Sequence, residues 1–150
     1  MTKVLVLYHS QQSGNTEACA QALAKGLATV KGVEYELINT NSAQRVDMAA
    51  FEACDAVAIG SPDYFSYVAG TIKQLFDDLL TAHREGMAVN GKPCALFMTH
   101  GGGGRAIEPF RQLAKNMEMV DEPFVCLRSP GVECEELVSL GQKLGQASLK

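Results

Sequence analysis

Val4-Leu5-Val6-Leu7-Tyr8-His9-Ser10-Gln11-Gln12-Ser13-Gly14-Asn15-Thr16 sets a continuous apolar run directly before an uncharged polar loop. A segment apolar at every position, rather than at alternate ones, suits a strand buried on both faces, as in a parallel sheet. Beyond Thr16 the period changes. Cys19, Leu23, Leu27 and Val30 recur every three or four residues, which is the spacing of a helix face.

The same alternation continues along the chain. Further strands are expected at Val33–Ile38, Ala56–Gly60, Cys94–Thr99 and Phe124–Leu127. Helical spacing recurs at Val68, Ile72, Leu75/Phe76 and Leu79, at Ile107, Phe110, Leu113/Ala114 and Met117, and at Leu137, Leu140, Leu144 and Ala147. A short helix is expected around Val46 to Phe51, after a polar loop over residues 39–44. Five β-α units imply right-handed crossovers and helices on both faces of the sheet. The expectation is one α/β domain over residues 1–150, a three-layer α/β/α sandwich around a five-stranded parallel sheet. Ligands of such sheets sit beyond the C-terminal strand ends, at the switch in strand order. Three loops meet there: Ser10 to Thr16, Ser61 to Ser66, and His100 to Arg105.

Composition narrows the function classes. The chain has 150 residues, 47% hydrophobic and 20% charged, ordinary proportions for a water-soluble globular protein. No apolar run approaches the ~20 residues that span a bilayer, and no signal-peptide pattern opens the chain. A cytoplasmic location without membrane contact is expected. The net charge of −4 argues against nucleic-acid binding, which needs a basic face. The five cysteines are odd in number and show no CxxC pair, so neither a metal site nor a disulfide framework is expected.

The loop from Ser10 to Thr16 offers three hydroxyls, primary amides and Gly14 at a helix start. Backbone N–H groups and the helix dipole favour an anion there, and Gly14 permits close approach. A polar turn with an Asn or Thr cap is the alternative. Other phosphate loops fit poorly: no Lys follows as a Walker loop requires, and no second glycine makes a dinucleotide fingerprint.

Ser10-Gln11-Gln12-Ser13-Gly14-Asn15-Thr16 resembles the flavodoxin phosphate loop, with one residue more before Ser13. Asp55-Ala56-Val57-Ala58-Ile59-Gly60-Ser61-Pro62-Asp63-Tyr64-Phe65 is similar to the segment after the third strand of the same superfamily. The longer first loop is similar to the NAD(P)H-dependent FMN-reductase-like and multimeric flavodoxin-like branches. The resemblance implies the strand order 2-1-3-4-5 and a non-covalent FMN, its phosphate surrounded by Ser10, Gln11, Gln12, Ser13, Gly14, Asn15 and Thr16. It also implies that Ser61, Pro62, Asp63, Tyr64 and Phe65 border the flavin ring, the aromatics by stacking and Ser61 by its hydroxyl. Asp63 is expected to point away from the ring. Thr99, His100, Gly101, Gly102 and Gly103 would meet the pyrimidine edge. His100 either bonds that edge or is an exposed loop histidine. Arg105 either meets a nicotinamide-cofactor phosphate or is a solvated helix-start residue.

Two activities follow from the resemblance. One is an FMN-dependent oxidoreductase carrying electrons from NAD(P)H to a quinone or other acceptor. The other is a flavodoxin, a one-electron carrier between redox protein partners. The chain has no Trp, only modest acidity, and Gly102 to Gly104 where a second ring-flanking aromatic is expected, which leans toward the oxidoreductase. It lacks the long insertion with which some flavodoxin-like quinone reductases build a pocket. No side chain stands out as a catalytic acid or base. A homo-oligomer is compatible with either activity.

Overall fold

The computed structural model describes residues 1–42, 45–131 and 133–150. Along the chain come β1 (Thr2–Tyr8), α1 (Asn15–Ala28), β2 (Val33–Asn39), α2 (Met48–Ala53), β3 (Ala56–Tyr64) and β4 (Tyr67–Val68). Then follow α3 (Gly70–Arg84), β5 (Pro93–His100), α4 (Ile107–Leu113), β6 (Glu118–Met119), β7 (Phe124–Leu127) and α5 (Glu135–Ser148). Ala43 and Gln44, part of the expected polar loop, lie outside the described residues.

The layers follow from the residues of β1. Val4, Val6 and Tyr8 face one way and Leu5 and Leu7 the other, all buried. The first face packs on Leu23 and Leu27 of α1 and Leu137, Leu140 and Leu144 of α5. The second packs on Phe51 of α2, Ile72, Leu75 and Leu79 of α3, and Phe110 of α4. This is the expected three-layer α/β/α arrangement.

The α1–α5 side uses small strand residues, Ala56, Ala58 and Ala95, so the helices sit close to the sheet. Gly60 serves the same end, because a Cβ there would lie 2.0 Å from the Phe97 ring. The helices also meet each other closely: a Cβ on Gly26 would fall 2.0 Å from the Val138 carbonyl, and one on Gly141 2.0 Å from the Leu23 carbonyl.

The sheet runs β2-β1-β3-β5 with all these pairs parallel, and its far edge is shared by β6 and β7. β6 pairs with the start of β5 and β7 with its end, Phe97 opposite Phe124 and His100 opposite Leu127. The expected order therefore holds, with β5 and β7 as the fourth and fifth main strands. Two short strands are additional. Val68, expected in the third helix, instead pairs with Asp63 in a β3–β4 hairpin, and the helix begins at Gly70. Phe65 and Ser66 form its two-residue turn with φ of 57° and 64°, the backbone of a type I′ turn. Met117 falls beyond α4 and Val30 beyond α1.

All five cysteines are free, with Cys19, Cys54 and Cys94 buried. No helix among the described residues is long and apolar enough to cross a membrane.

Candidate functional site

Three loops converge at the C-terminal ends of β1, β3 and β5 around a cavity of about 320 Å³. Every residue from Ser10 to Thr16 lines it, together with Pro62, Asp63, Tyr64, Thr99, His100, Gly101 and Arg128. Ser61, Phe65, Gly102, Gly103 and Arg105 are not part of the wall.

The first loop is held from both ends. Ser10 is clamped by Asn39 at the end of β2: its N–H donates to Asn39 Oδ1 and its carbonyl accepts from Asn39 Nδ2, each at 3.0 Å. Ser10 Oγ accepts from the Glu17 N–H of α1 at 3.2 Å. Gly14 turns the chain into α1 with φ 70°, and a Cβ there would meet no protein atom within 4 Å. Thr16 is buried, its hydroxyl 2.9 Å from that of Thr99 on β5. Among the described residues, the backbone N–H groups of Gln12, Ser13, Asn15 and Thr16 have no protein acceptor. These orphan donors sit at the positive end of the α1 dipole, an arrangement that suits a phosphate.

Glu17, one step further on, is occupied by the Tyr8 hydroxyl at 3.0 Å. Burial and that carboxylate push the Tyr8 phenol up to about 12.

In the second loop the carboxylate of Asp63 is tied to backbone, accepting from the Ser66 N–H at 2.9 Å and the Ala106 N–H at 3.2 Å. It thus closes the β3–β4 turn and anchors the start of α4. Ser61 is fully buried. Its hydroxyl donates to the Pro62 carbonyl at 2.7 Å and accepts from the Ala69 N–H at 2.9 Å, so it braces the loop from behind. That corrects the expectation of a ligand-facing hydroxyl at Ser61. Tyr64 alone of the aromatic pair reaches the cavity. Phe65 is fully exposed at the hairpin tip, neither in the wall nor in the core.

The third loop is shaped by glycine. Gly102, Gly103 and Gly104 have φ of 157°, 95° and 61° in succession. Gly104 is buried under the His100 ring, where a Cβ would come within 3.1 Å of Cδ2. His100 Nδ1 is buried with no hydrogen-bond partner among the described residues. Its carbonyl accepts from the Arg128 N–H at 2.8 Å, which brings Arg128 to the cavity from the end of β7. Arg128 is not among the residues expected at the site, and Arg105, read either as a phosphate contact or as a solvated helix-start residue, is exposed and outside the cavity, in line with the second reading. The signal for Arg128 was its place at the end of the fifth main strand.

Comparison with known proteins places the chain in a family. The family model described as NADPH-dependent FMN reductase matches residues 2–126. A protein named flavodoxin from Aquifex aeolicus is 34% identical over 104 residues, 69% of this chain and 53% of that protein. The chain thus spans about half the length of that relative. Among solved structures, a flavodoxin from the domain Archaea superposes with a TM-score of 0.83 at 24% identity, covering 99% of this chain and 100% of the other. The rubredoxin oxygen:oxidoreductase of Desulfovibrio gigas gives 0.86 at 18% identity, over 99% of this chain but 36% of that one. At those identities the structural likeness speaks for the fold.

Proposed function

Because the chain belongs to the NADPH-dependent FMN reductase family, within the flavodoxin-like superfamily, and its cofactor is FMN, we propose that it is an oxidoreductase accepting electrons from NAD(P)H and delivering them to a quinone or another small acceptor. Residues 1–150 would act as one FMN-binding unit. The bound flavin supplies the hydride- and electron-accepting chemistry. The chain's part is to hold, orient and cover it.

The observation that carries the reading is the asymmetry of the cavity wall. Tyr64 offers one large aromatic side chain, and past His100 the loop after β5 offers Gly101, with no second large aromatic opposite it to cover a flat ring. A ring left bare on one side is accessible to a nicotinamide. At the phosphate end, the orphan N–H groups of Gln12, Ser13, Asn15 and Thr16 would bind the dianion, while Arg128, beside His100, adds one positive charge to the cavity as a whole. At the ring end, Thr99, His100 and Gly101 line the wall where the pyrimidine edge would lie.

A second reading, the one-electron carrier, draws on the fully exposed Phe65 beside the cavity mouth and on the relative named flavodoxin. Anaerobic mixing of the FMN-loaded protein with NADH or NADPH separates the two. Rapid bleaching of flavin absorbance, followed by reoxidation when a quinone is added, supports the oxidoreductase. Failure of both nucleotides to bleach it overturns that reading in favour of the carrier.

A further inference from the structure

His9 follows β1 and is 4% exposed. Its N–H donates to the Gly60 carbonyl at 3.1 Å, so the sheet fixes its place. Tyr64 meets the ring edge-on, with 5.7 Å between centroids. Nδ1 lies 2.6 Å from Thr71 Oγ1 of α3, and Nε2 lies 3.1 Å from the amide nitrogen of Gln11. These neighbours are all uncharged.

Counting hydrogens gives this chain of contacts a direction. The Thr40 hydroxyl donates to the Tyr8 carbonyl at 3.2 Å, which uses its only hydrogen. Thr71 Oγ1, 2.7 Å from Thr40 Oγ1, is then the donor between the two hydroxyls. With that hydrogen committed, Thr71 accepts from His9, which places the imidazole proton on Nδ1. Nε2 keeps its lone pair, and the Gln11 amide N–H fills it. The opposite direction gives up the Thr40 hydroxyl's bond to Tyr8, whose carbonyl the Thr40 N–H also reaches at 2.7 Å, and sets two N–H groups against each other unless the Gln11 amide turns over. Burial in uncharged surroundings also favours the neutral ring and holds His9 below the usual imidazole range.

We propose that His9 is a positioning residue for the phosphate loop: set as the Nδ1–H tautomer by Thr71 and Thr40, it anchors the Gln11 side-chain amide and leaves that amide's second N–H for the FMN phosphate. Gln11 lines the cavity and His9 does not, so His9 acts through it. The proposal rests on the assignment of the phosphate to the Ser10–Thr16 loop.

His9→Asn isolates this role. An Asn amide nitrogen stands close to where Nδ1 stood and keeps the donor to Thr71, with nothing in place of Nε2. Two measurements test it. In the FMN-free protein at neutral pH, the nitrogen chemical shifts of His9 should show a protonated Nδ1 and a bare Nε2. The other tautomer overturns the proposal, and this readout needs no variant. Next, FMN and riboflavin affinities are compared for wild type, His9→Asn, Gln11→Ala and the double variant. Each single change should weaken FMN about threefold to tenfold, the worth of one hydrogen bond, and leave riboflavin unchanged. The double variant should bind no more weakly than Gln11→Ala.

An undiminished preference for FMN in His9→Asn, beside a reduced one in Gln11→Ala, overturns the role of His9 and leaves the phosphate assignment standing. Equal weakening of both ligands in His9→Asn also overturns it, since the role would then be general to the fold. A Gly14→Val variant that keeps the full preference for FMN overturns the phosphate assignment and this proposal together.

Discussion

Gly141→Ala should destabilise the protein by about 2–3 kcal/mol, although alanine is the better helix former. Gly141 lies within α5, where it meets the backbone of α1. An added Cβ would sit 2.0 Å from the Leu23 carbonyl oxygen, 3.0 Å from its carbon and 3.1 Å from the Leu27 nitrogen. The shortest contact falls roughly 1.4 Å below ordinary van der Waals distance, and no rotamer change relieves it because both partners are main chain. The helices must separate, loosening Leu23 and Leu27 against Leu137, Leu140 and Leu144. Overpacking of this kind costs about 1–3 kcal/mol before repacking, and the unyielding partner places it at the upper end or beyond. About 1 kcal/mol returns through helix propensity. At ~2–4 °C per kcal/mol for a chain of this length, the net loss lowers Tm by about 4–12 °C. Gly70→Ala is the matched control. Gly70 opens α3, and a methyl group added there would have nothing within 4 Å, so the change should be neutral or stabilising by up to ~1 kcal/mol. Thermal and urea unfolding of the FMN-free variants measures both. Equal stability of Gly141→Ala and wild type, or equal losses in the two variants, would refute the close-crossing argument.

Three other outcomes are expected. Replacing Phe65-Ser66 by Asn-Gly should stabilise the FMN-free protein by about 0.5–2 kcal/mol in urea unfolding, because both residues occupy positive φ that suits Asn and Gly. If the exposed Phe65 serves a partner, the same change should slow electron delivery to protein acceptors and spare small ones. The lowered His9 basicity makes folding favour the neutral ring, so its contribution is complete above the unfolded value near 6.5 and is lost as pH falls through the depressed folded value. Urea midpoints taken down that range should fall less steeply in His9→Asn than in wild type. Arg128 is exposed and, among the described residues, is the one Lys or Arg in the cavity wall, so Arg128→Asn, which keeps the left-handed backbone available, should weaken FMN by no more than about fivefold at low salt. The difference should vanish near about 1 M ionic strength, where screening reaches within ~3 Å. A larger or salt-insensitive loss in fluorescence titration would mean that the phosphate depends on Arg128 rather than on backbone amides.

The parallel sheet was legible because Val4 to Leu7 and Cys94 to Met98 are apolar at every position, a pattern that strands covered on both faces require. The first site loop was legible for a similar reason: its chemistry is local, built from one glycine and the start of one helix. What escaped depends on distant pairings. The β3–β4 hairpin is two residues deep, and its turn is formed by Phe65 and Ser66 rather than the Asn-Gly pair that would announce it. Ser61 had the right hydroxyl in the right loop, yet Ala69 and Pro62 take both of its hydrogen-bonding roles. Asn39 read as the start of a loop, while its clamp on Ser10 spans 29 residues. His9 showed no motif at all, since its partners Thr71 and Thr40 come from separate elements.

The two ends of the cavity bind by different physics, which bears on how a ligand stabilises the fold. At the α1 end, orphan N–H groups open toward the cavity and exchange bonds to water for bonds to an anion, so the gain per bond is modest but several act together. At the β5 end, His100 Nδ1 is already buried and unpaired, and leaving such an atom unsatisfied costs about 1–3 kcal/mol. Because Nδ1 is closed off from the cavity, a ligand would relieve that cost only by shifting the loop after β5. The three successive positive-φ glycines hold that loop in a shape other residues would resist, with Gly104 pressed beneath the ring. Riboflavin, which has the ring but no phosphate, should still raise the melting temperature, and inorganic phosphate at the same concentration should raise it less, because the stabilisation follows ligand concentration over Kd. On the proposed assignment, the first loop would select FMN among flavins, and contacts at either end would stabilise the fold only through the affinity they add.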